Sequence, residues 1–318
     1  MTLAREALSK SNNDLDRALS YVERSLSSSE AKAAKVAGRS THEGTIAVSL
    51  LSGKRVAMIH LGCETDFVAR NDMFLNTARG VAGTAAFLDV PSDDGPHEPQ
   101  LGVDPIQEFP VEALLSAPVI ALPSSDSSPP IPVHAPTTIQ QSLLSALGTT
   151  GENLKLLRAV SFAAPFPSSS TIRFIPGCFA HGGPGDTEGR VGGIVILSAT
   201  SSDPEKPISS LVHGPGGDDL ERDLSKLART IARQAVGFPT RFISRKSPGA
   251  QGVEAEEVLL EQSFMMMGEE RRVAEVLEEW GEERGARVIV VGMRRWAVKD
   301  ALGTTEMPME EAATEHGA

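Results

Sequence analysis

The chain has 318 residues and a mass of 33.6 kDa, enough for two or three domains whose cores need no disulfide or metal staple. A formal net charge of −12 and a pI near 5.1 oppose non-specific attraction to nucleic acid, which needs clustered Lys and Arg, and favour a protein or small-molecule partner. Two cysteines, Cys63 and Cys178, make no disulfide framework and suit a reducing compartment, and no uncharged apolar run approaches the length of a membrane span.

Residues 13–26, NDLDRALSYVERSL, place Leu15, Ala18, Leu19, Val22 and Leu26 on one helical face, with Asn13 as the expected N-cap. LAREALSK before it and EAKAAKVA after it, bracketed by Ser29 and Gly38, predict two more short helices. Glu6, Asp14, Asp16 and Glu23 interleave with the basic residues there, so no organellar presequence is expected in this segment. TIAVSLL and RVAMIHL then read as strands joined by Ser52-Gly53, and Phe74, Ala78, Val81, Ala85 and Leu88 mark a helix capped by Asn71 or Asp72. CETDFVARND, residues 63–72, falls in the loop between strand and helix, where binding residues concentrate.

Residues 91–136 hold 11 of the 21 prolines and almost no periodicity, which predicts an inserted, largely disordered loop at 91–137. A short helix follows around Ile139, Leu143, Leu144 and Leu147. NLKLLRAVSF, TIRFIPGCFAH and RVGGIVILSA read as strands, GGPGDTEG as a turn, and Leu220, Leu224, Ala228, Ile231 and Ala235 as one face of a helix. A last helix with Val273, Val276, Leu277 and Trp280 leads into ARVIVVGM, apolar enough for an inner strand. Strands with a covering helix thus recur at 45–88 and 154–236, which predicts an α+β fold of two similar subdomains. The expected divisions are 1–40, helical; 41–90, first core subdomain; 91–137, insertion; 138–300, second core subdomain; and 301–318, acidic tail.

Enzyme chemistry finds little support. Gly53-Lys54 lacks the first Gly and the hydroxyl residue of a phosphate-binding loop, and neither G-x-S-x-G nor H-E-x-x-H occurs. His60-x-x-Cys63 and Cys178-x-x-His181 offer four zinc ligands, but residues three apart on a strand point to opposite faces, so no metal site is assigned. Glu64 and Asp66 beside Cys63 work against a reactive thiolate. Met265 to Met267 read as core edge, and Arg294, Arg295 and Lys299 as a solvated face.

CETDFVARND resembles the signature loop of the elongation factor Ts family, exchange factors for the GTPase elongation factor Tu. NNDLDRAL, AKAAKVAGRSTHEG, GENLKLLRA, AHGG, RVGGIVIL, LARTIARQA and VLLEQSF are similar to further family segments in the same order, covering about 1–90 and 138–300. The resemblance implies a UBA-like N-terminal module, here lacking its first helix, ahead of two α+β subdomains with antiparallel sheets covered by helices. It implies no cofactor, no direct nucleic-acid or membrane contact, and a protein without covalent chemistry of its own. Thr65, Asp66, Phe67, Val68 and Ala69 would form the element that disturbs the partner's magnesium and phosphate site, with Arg5, Arg70 and His181 as further partner contacts. A short linker between Arg245 and Glu257 stands where bacterial members carry a coiled coil, so a dimerising coil is not expected. With the Pro-rich insertion, this resembles mitochondrial forms and implies a mitochondrial matrix location. Three other readings stay open: a GTPase-docking module without exchange activity, an enzyme with a Cys- or metal-based site, and a chain in which Phe67 fills the core while Asp66 caps the next helix.

Overall fold

The structure, a computed structural model, describes residues 2–36, 38–91, 99, 102–120, 137–166, 168–265 and 271–300. Helices α1 (Thr2–Lys10) and α2 (Leu15–Val36) pack together, burying Ala7 and Ala18. Asn12 and Asn13 between them take left-handed φ angles of 53° and 62°, which asparagine tolerates better than most residues. Asn13 is thereby displaced as the cap, and the Asp14 carboxylate accepts the Arg17 N–H at 3.0 Å instead. The separate third helix expected over EAKAAKVA does not form. α2 continues through it, because Ser27 to Ser29 contain neither Gly nor Pro, and serine weakens a helix without breaking it. On the expected apolar face Leu15 and Leu19 are 67% and 53% exposed; the Leu26 side chain lies outside the described residues.

Strands β1 (Glu43–Leu51) and β2 (Arg55–Cys63) form the expected hairpin, in register from Glu43 opposite Cys63 to Leu51 opposite Arg55. Ser52 and Gly53 turn it with φ angles of 50° and 64°, the left-handed pair favoured by tight hairpins. The one-turn helix α3 (Asp66–Ala69) and α4 (Asp72–Phe87) follow, then β3 (Gln107–Glu108), α5 (Val111–Ser116), α6 (Ile139–Thr150) and β4 (Lys155–Ala163). The second half comprises β5 (Ile172–His181), β6 (Glu188–Gly189), β7 (Val191–Ser201), α7 (Ile208–Val212), α8 (Gly217–Gly237), α9 (Val273–Glu282) and β8 (Ala286–Ala297). Among the described residues the strands make two antiparallel sheets, ordered β3-β4-β2-β1-β6 and β5-β7-β8.

Strand pleating divides the side chains between three apolar layers. Ala47, Ile59, Leu61 and Cys63 meet Phe74, Ala78, Ile139 and Leu143 of the covering helices. From the opposite face of the same hairpin, Ile46, Val48, Val56 and Met58 meet Phe174, Ile194, Ile196 and Trp296 of the other sheet. Beyond that sheet, Ile175, Val195 and Leu197 pack under Leu224, Ala228, Ile231 and Leu277 of α8 and α9. The result is an α+β stack of helix, sheet, sheet and helix. The Gly-rich turn after β5 joins the sheets, since β6 pairs Glu188 and Gly189 with Ala47 and Ile46 of β1.

Three placements differ from those read in the sequence. β4 and α6, expected in the second subdomain, belong with the first sheet, where β4 lies between β3 and β2. Apolar periodicity marks an element's type, whereas pairing across about 100 residues chooses its sheet. Part of the 91–137 segment is built into the fold: β3 pairs with β4, and Ile106, Phe109 and Leu114 are buried. A two-residue strand and a six-residue helix are too short to show a period. Residues 92–98, 100–101 and 121–136, and the acidic tail 301–318, lie outside the described residues. β8 pairs with β7 at the sheet edge. Its apolar run reflects burial on both faces, Val291 and Trp296 between the sheets and Val288 and Met293 under the helices.

Two packing constraints are open to measurement. A Cβ at Gly177 of β5 would lie 2.3 Å from the Ala228 backbone of α8. Gly177→Ala is therefore expected to cost about 1–3 kcal/mol, seen as a lower urea midpoint at unchanged slope; an unaltered midpoint would mean that α8 can retreat freely. His60 in β2 is 1% exposed and its Nδ1 has no hydrogen-bond partner among the described residues. Burial, aided by the Arg158 guanidinium and opposed by Asp300, pushes its pKa from 6.5 down to about 4. Between these values the unfolded chain binds the proton and the folded chain does not, so stability is complete above the upper value and declines as pH falls through the window. The loss is bounded at about 3 kcal/mol. Melting temperatures should drop more steeply from about pH 7 to about pH 4.5 for the natural chain than for His60→Gln; parallel curves would contradict this.

Candidate partner-binding site

β2 ends at Cys63, and two helix starts follow within nine residues. Thr65 is extended, with φ −123° and ψ 157°, and its hydroxyl oxygen accepts the Val68 N–H at 3.4 Å to cap α3. The turn closes when Asn71 N–H donates to the Val68 carbonyl at 3.0 Å. Asn71 then caps α4, its Oδ1 accepting the Met73 N–H at 2.9 Å. The expected loop is thus a single helical turn, and the arrangement with Asp66 as cap and Phe67 in the core is not the one adopted. Val68 and Ala69 pack against the helix-side core, which leaves Phe67 83% exposed. Asp66 pairs with Arg70 at 3.4 Å, a surface contact worth at most about 1 kcal/mol.

The turn is held from a distant part of the chain. Gly151, with φ 73°, ends α6 in the left-handed conformation and delivers Glu152 to the turn. One carboxylate oxygen of Glu152 accepts the N–H groups of Glu64 and Thr65 at 3.2 and 3.0 Å, and the other accepts the Thr65 hydroxyl proton at 2.5 Å. Glu64 reciprocates by accepting the Asn153 N–H at 2.7 Å and lies 3.5 Å from Arg39. The Asn153 amide donates in turn to the Arg39 carbonyl at 2.9 Å. Cys63 Sγ donates to the Thr65 carbonyl at 3.2 Å. Sequence reasoning misses Glu152, which stands inside GENLKLLRA. A glycine helix stop followed by an acid was the available signal, but nothing local ties it to a residue 87 positions earlier.

The remaining candidates divide. Exposed His181 ends β5 opposite Val191, next to Arg190, which pairs with Glu43; Glu43 in turn lies opposite Cys63 in β1–β2. The structure therefore sets His181 at the same end of the two sheets as the Thr65 turn. Arg5 is exposed on α1 and stands outside the hydrogen-bonded cluster around Glu152. His60 and Cys63 do not form half of a zinc site, since Cys63 joins the helix-side layer while His60 sits beside Arg158. Among the described residues no three or more His, Cys, Asp or Glu converge on a metal position. Burial, with Glu152 and Glu43 nearby, raises the Cys63 thiol to about 12, and burial raises Cys178 to about 12, so neither is a thiolate at neutral pH. Arg294 is paired with Asp104, and Lys54 reaches Glu221 at 2.8 Å. Met265 lies against Gly237, whereas Met266 and Met267 fall outside the described residues. No helix among the described residues is long and apolar enough to cross a membrane.

No protein-family model matches the chain. It is 62% identical over 315 residues to the mitochondrial elongation factor Ts of Cryptococcus neoformans var. neoformans serotype D, covering 95% of this chain and 84% of that protein. The proteins of the same name from Coprinopsis cinerea and Laccaria bicolor are 35% and 34% identical, over 94% and 95% of this chain and 87% and 88% of theirs. Identity at this level across nearly the whole length carries more weight than any single motif, and this chain belongs to the elongation factor Ts family in its mitochondrial form.

Proposed function

We propose that this chain exerts the exchange activity of its family on a mitochondrial elongation factor Tu, with Phe67 as the wedge that loosens bound GDP. The observation that carries this reading is a phenylalanine 83% exposed on a turn that is otherwise tied down. An aromatic ring held in water gains about 1.5–3 kcal/mol when a partner buries it. GDP in such a GTPase is held by charge-assisted bonds to phosphate and by Mg²⁺, all sensitive to small displacements. A ring inserted beside that site weakens several of them together, and Asp66 acts next to it on the contacts that order the metal. The magnesium belongs to the partner.

Phe67 does not act alone. Accelerating release about 1,000-fold lowers the barrier by roughly 4 kcal/mol, more than one phenylalanine supplies. The rest is assigned to a wider interface. Exposed Leu15 and Leu19 on the α1–α2 pair, which stands for the family's UBA-like module, support docking of the GTPase domain. His181, at the same end as the turn, supports a contact from the second sheet. Nucleotide and factor must then weaken each other's binding by the same factor, so GDP release and factor release form one cycle.

Stopped-flow release of a fluorescent GDP from elongation factor Tu tests the reading. The natural chain should accelerate release, and Phe67→Ala should lower the saturating rate roughly 10- to 100-fold at unchanged melting temperature. Normal exchange by Phe67→Ala would remove the wedge, and stable complex formation without accelerated release by the natural chain would identify a docking module instead.

A further inference from the structure

We infer that Glu152 is a positioning residue for exchange, whose carboxylate sets the angle at which Phe67 meets the partner. This rests on the exchange reading above and adds to it a residue outside the Thr65 turn. Phe67 is not held by its own surroundings. Its ring is 83% exposed, so packing against its own chain does not fix its direction, and α3 is a single turn too short to be rigid by itself. Val68 and Ala69 anchor one side of that turn. The other side, at its entry, is anchored by Glu152.

The chemistry of that anchor is specific to a carboxylate. Three donors converge on Glu152: the N–H groups of Glu64 and Thr65 and the hydroxyl of Thr65. A carboxylate accepts on both oxygens, whereas an amide accepts on one and presents donors on the other. The Thr65 hydroxyl is also the cap of α3, so its proton and its lone pair have separate tasks. Donating the proton to Glu152 leaves a lone pair directed to the Val68 N–H. Glu152 thus orients the cap and, through it, the first turn on which Phe67 sits. Glu64 closes the arrangement from the other side by accepting the Asn153 N–H, so the two segments hold each other by exchanged carboxylates.

A wedge acts only if it resists being pushed aside. A turn that swivels at Thr65 would still let the chain dock through its other surfaces, but the ring would yield when pressed against the nucleotide site. Loss of the Glu152 anchor is therefore expected to spare affinity and reduce the maximal effect, a separation that general unfolding does not produce.

The test is GDP release from elongation factor Tu, followed over a range of concentrations of the full chain, for the natural protein, Glu152→Gln, Thr65→Val and Thr65→Ser. The expected result is a saturating rate about tenfold lower for Glu152→Gln and Thr65→Val, half-saturating concentrations within about twofold of the natural value, and near-natural rates for Thr65→Ser, which keeps the hydroxyl. Hydrogen exchange should show faster exchange of the Glu64 and Thr65 amides in Glu152→Gln without a change at the strand β1–β2 amides. If Glu152→Gln does not fold, the Thr65→Val and Thr65→Ser pair carries the comparison. A Glu152→Gln curve superimposed on the natural one would overturn the positioning role while leaving the exchange reading intact. No acceleration by the natural chain would overturn the exchange reading, and this inference with it.

Discussion

In the proposed exchange mechanism, the short span of hydrogen bonds between Glu152 and the Thr65 turn is the constraint on which the working surface depends. It joins the end of α6 to the start of α3, segments 87 residues apart that meet because α4 and α6 share one face of the first sheet. Both carboxylate oxygens are occupied at the entry to the turn, and Phe67 stands exposed on the turn that follows. An exposed aromatic ring is ordinarily free to be displaced; here the backbone beneath it is not. Pre-set geometry of this kind reduces the ordering cost of binding, so in the proposed mechanism more of the contact energy would reach the partner's nucleotide site.

The stacked sheets supply the frame. β1 and β2 are buried on both faces, by helices on one side and by the second sheet on the other, so the strand that delivers Cys63 and Thr65 cannot flex independently. The β6 staple and the Arg190–Glu43 pair tie the second sheet to the same end. One rigid body can therefore present the Thr65 turn and the His181 end of β5 together, while the α1–α2 pair offers a separate surface. A factor that works as proposed, gripping a GTPase at several points and straining it at one, would use this division between holding and pressing.

Much of this was legible in the sequence, and what was not failed for physical reasons. The β1–β2 hairpin, the start of α4 at Asn71 or Asp72 and α8 were readable because alternation, turn residues and helical spacing are local signals. The membership of β4 and α6 in the first sheet, the edge position of β8 and the 102–120 additions to the core were not, because strand partners are chosen by long-range pairing. α2 absorbed its expected neighbour since a serine run is a weak stop, and Asn13 yielded the cap to Asp14 when the link took left-handed angles. In the site, CETDFVARND pointed to the outward pair by resemblance, while Glu152 was hidden by its distance in sequence from the turn it holds.

A structure of this chain bound to nucleotide-free elongation factor Tu would decide whether Phe67 presses on the partner. The Phe67 ring is expected to be buried against the GTPase domain beside its magnesium and phosphate site, with the Glu152 bonds to Glu64 and Thr65 retained. A ring left in solvent, or folded back onto its own chain, would contradict this expectation.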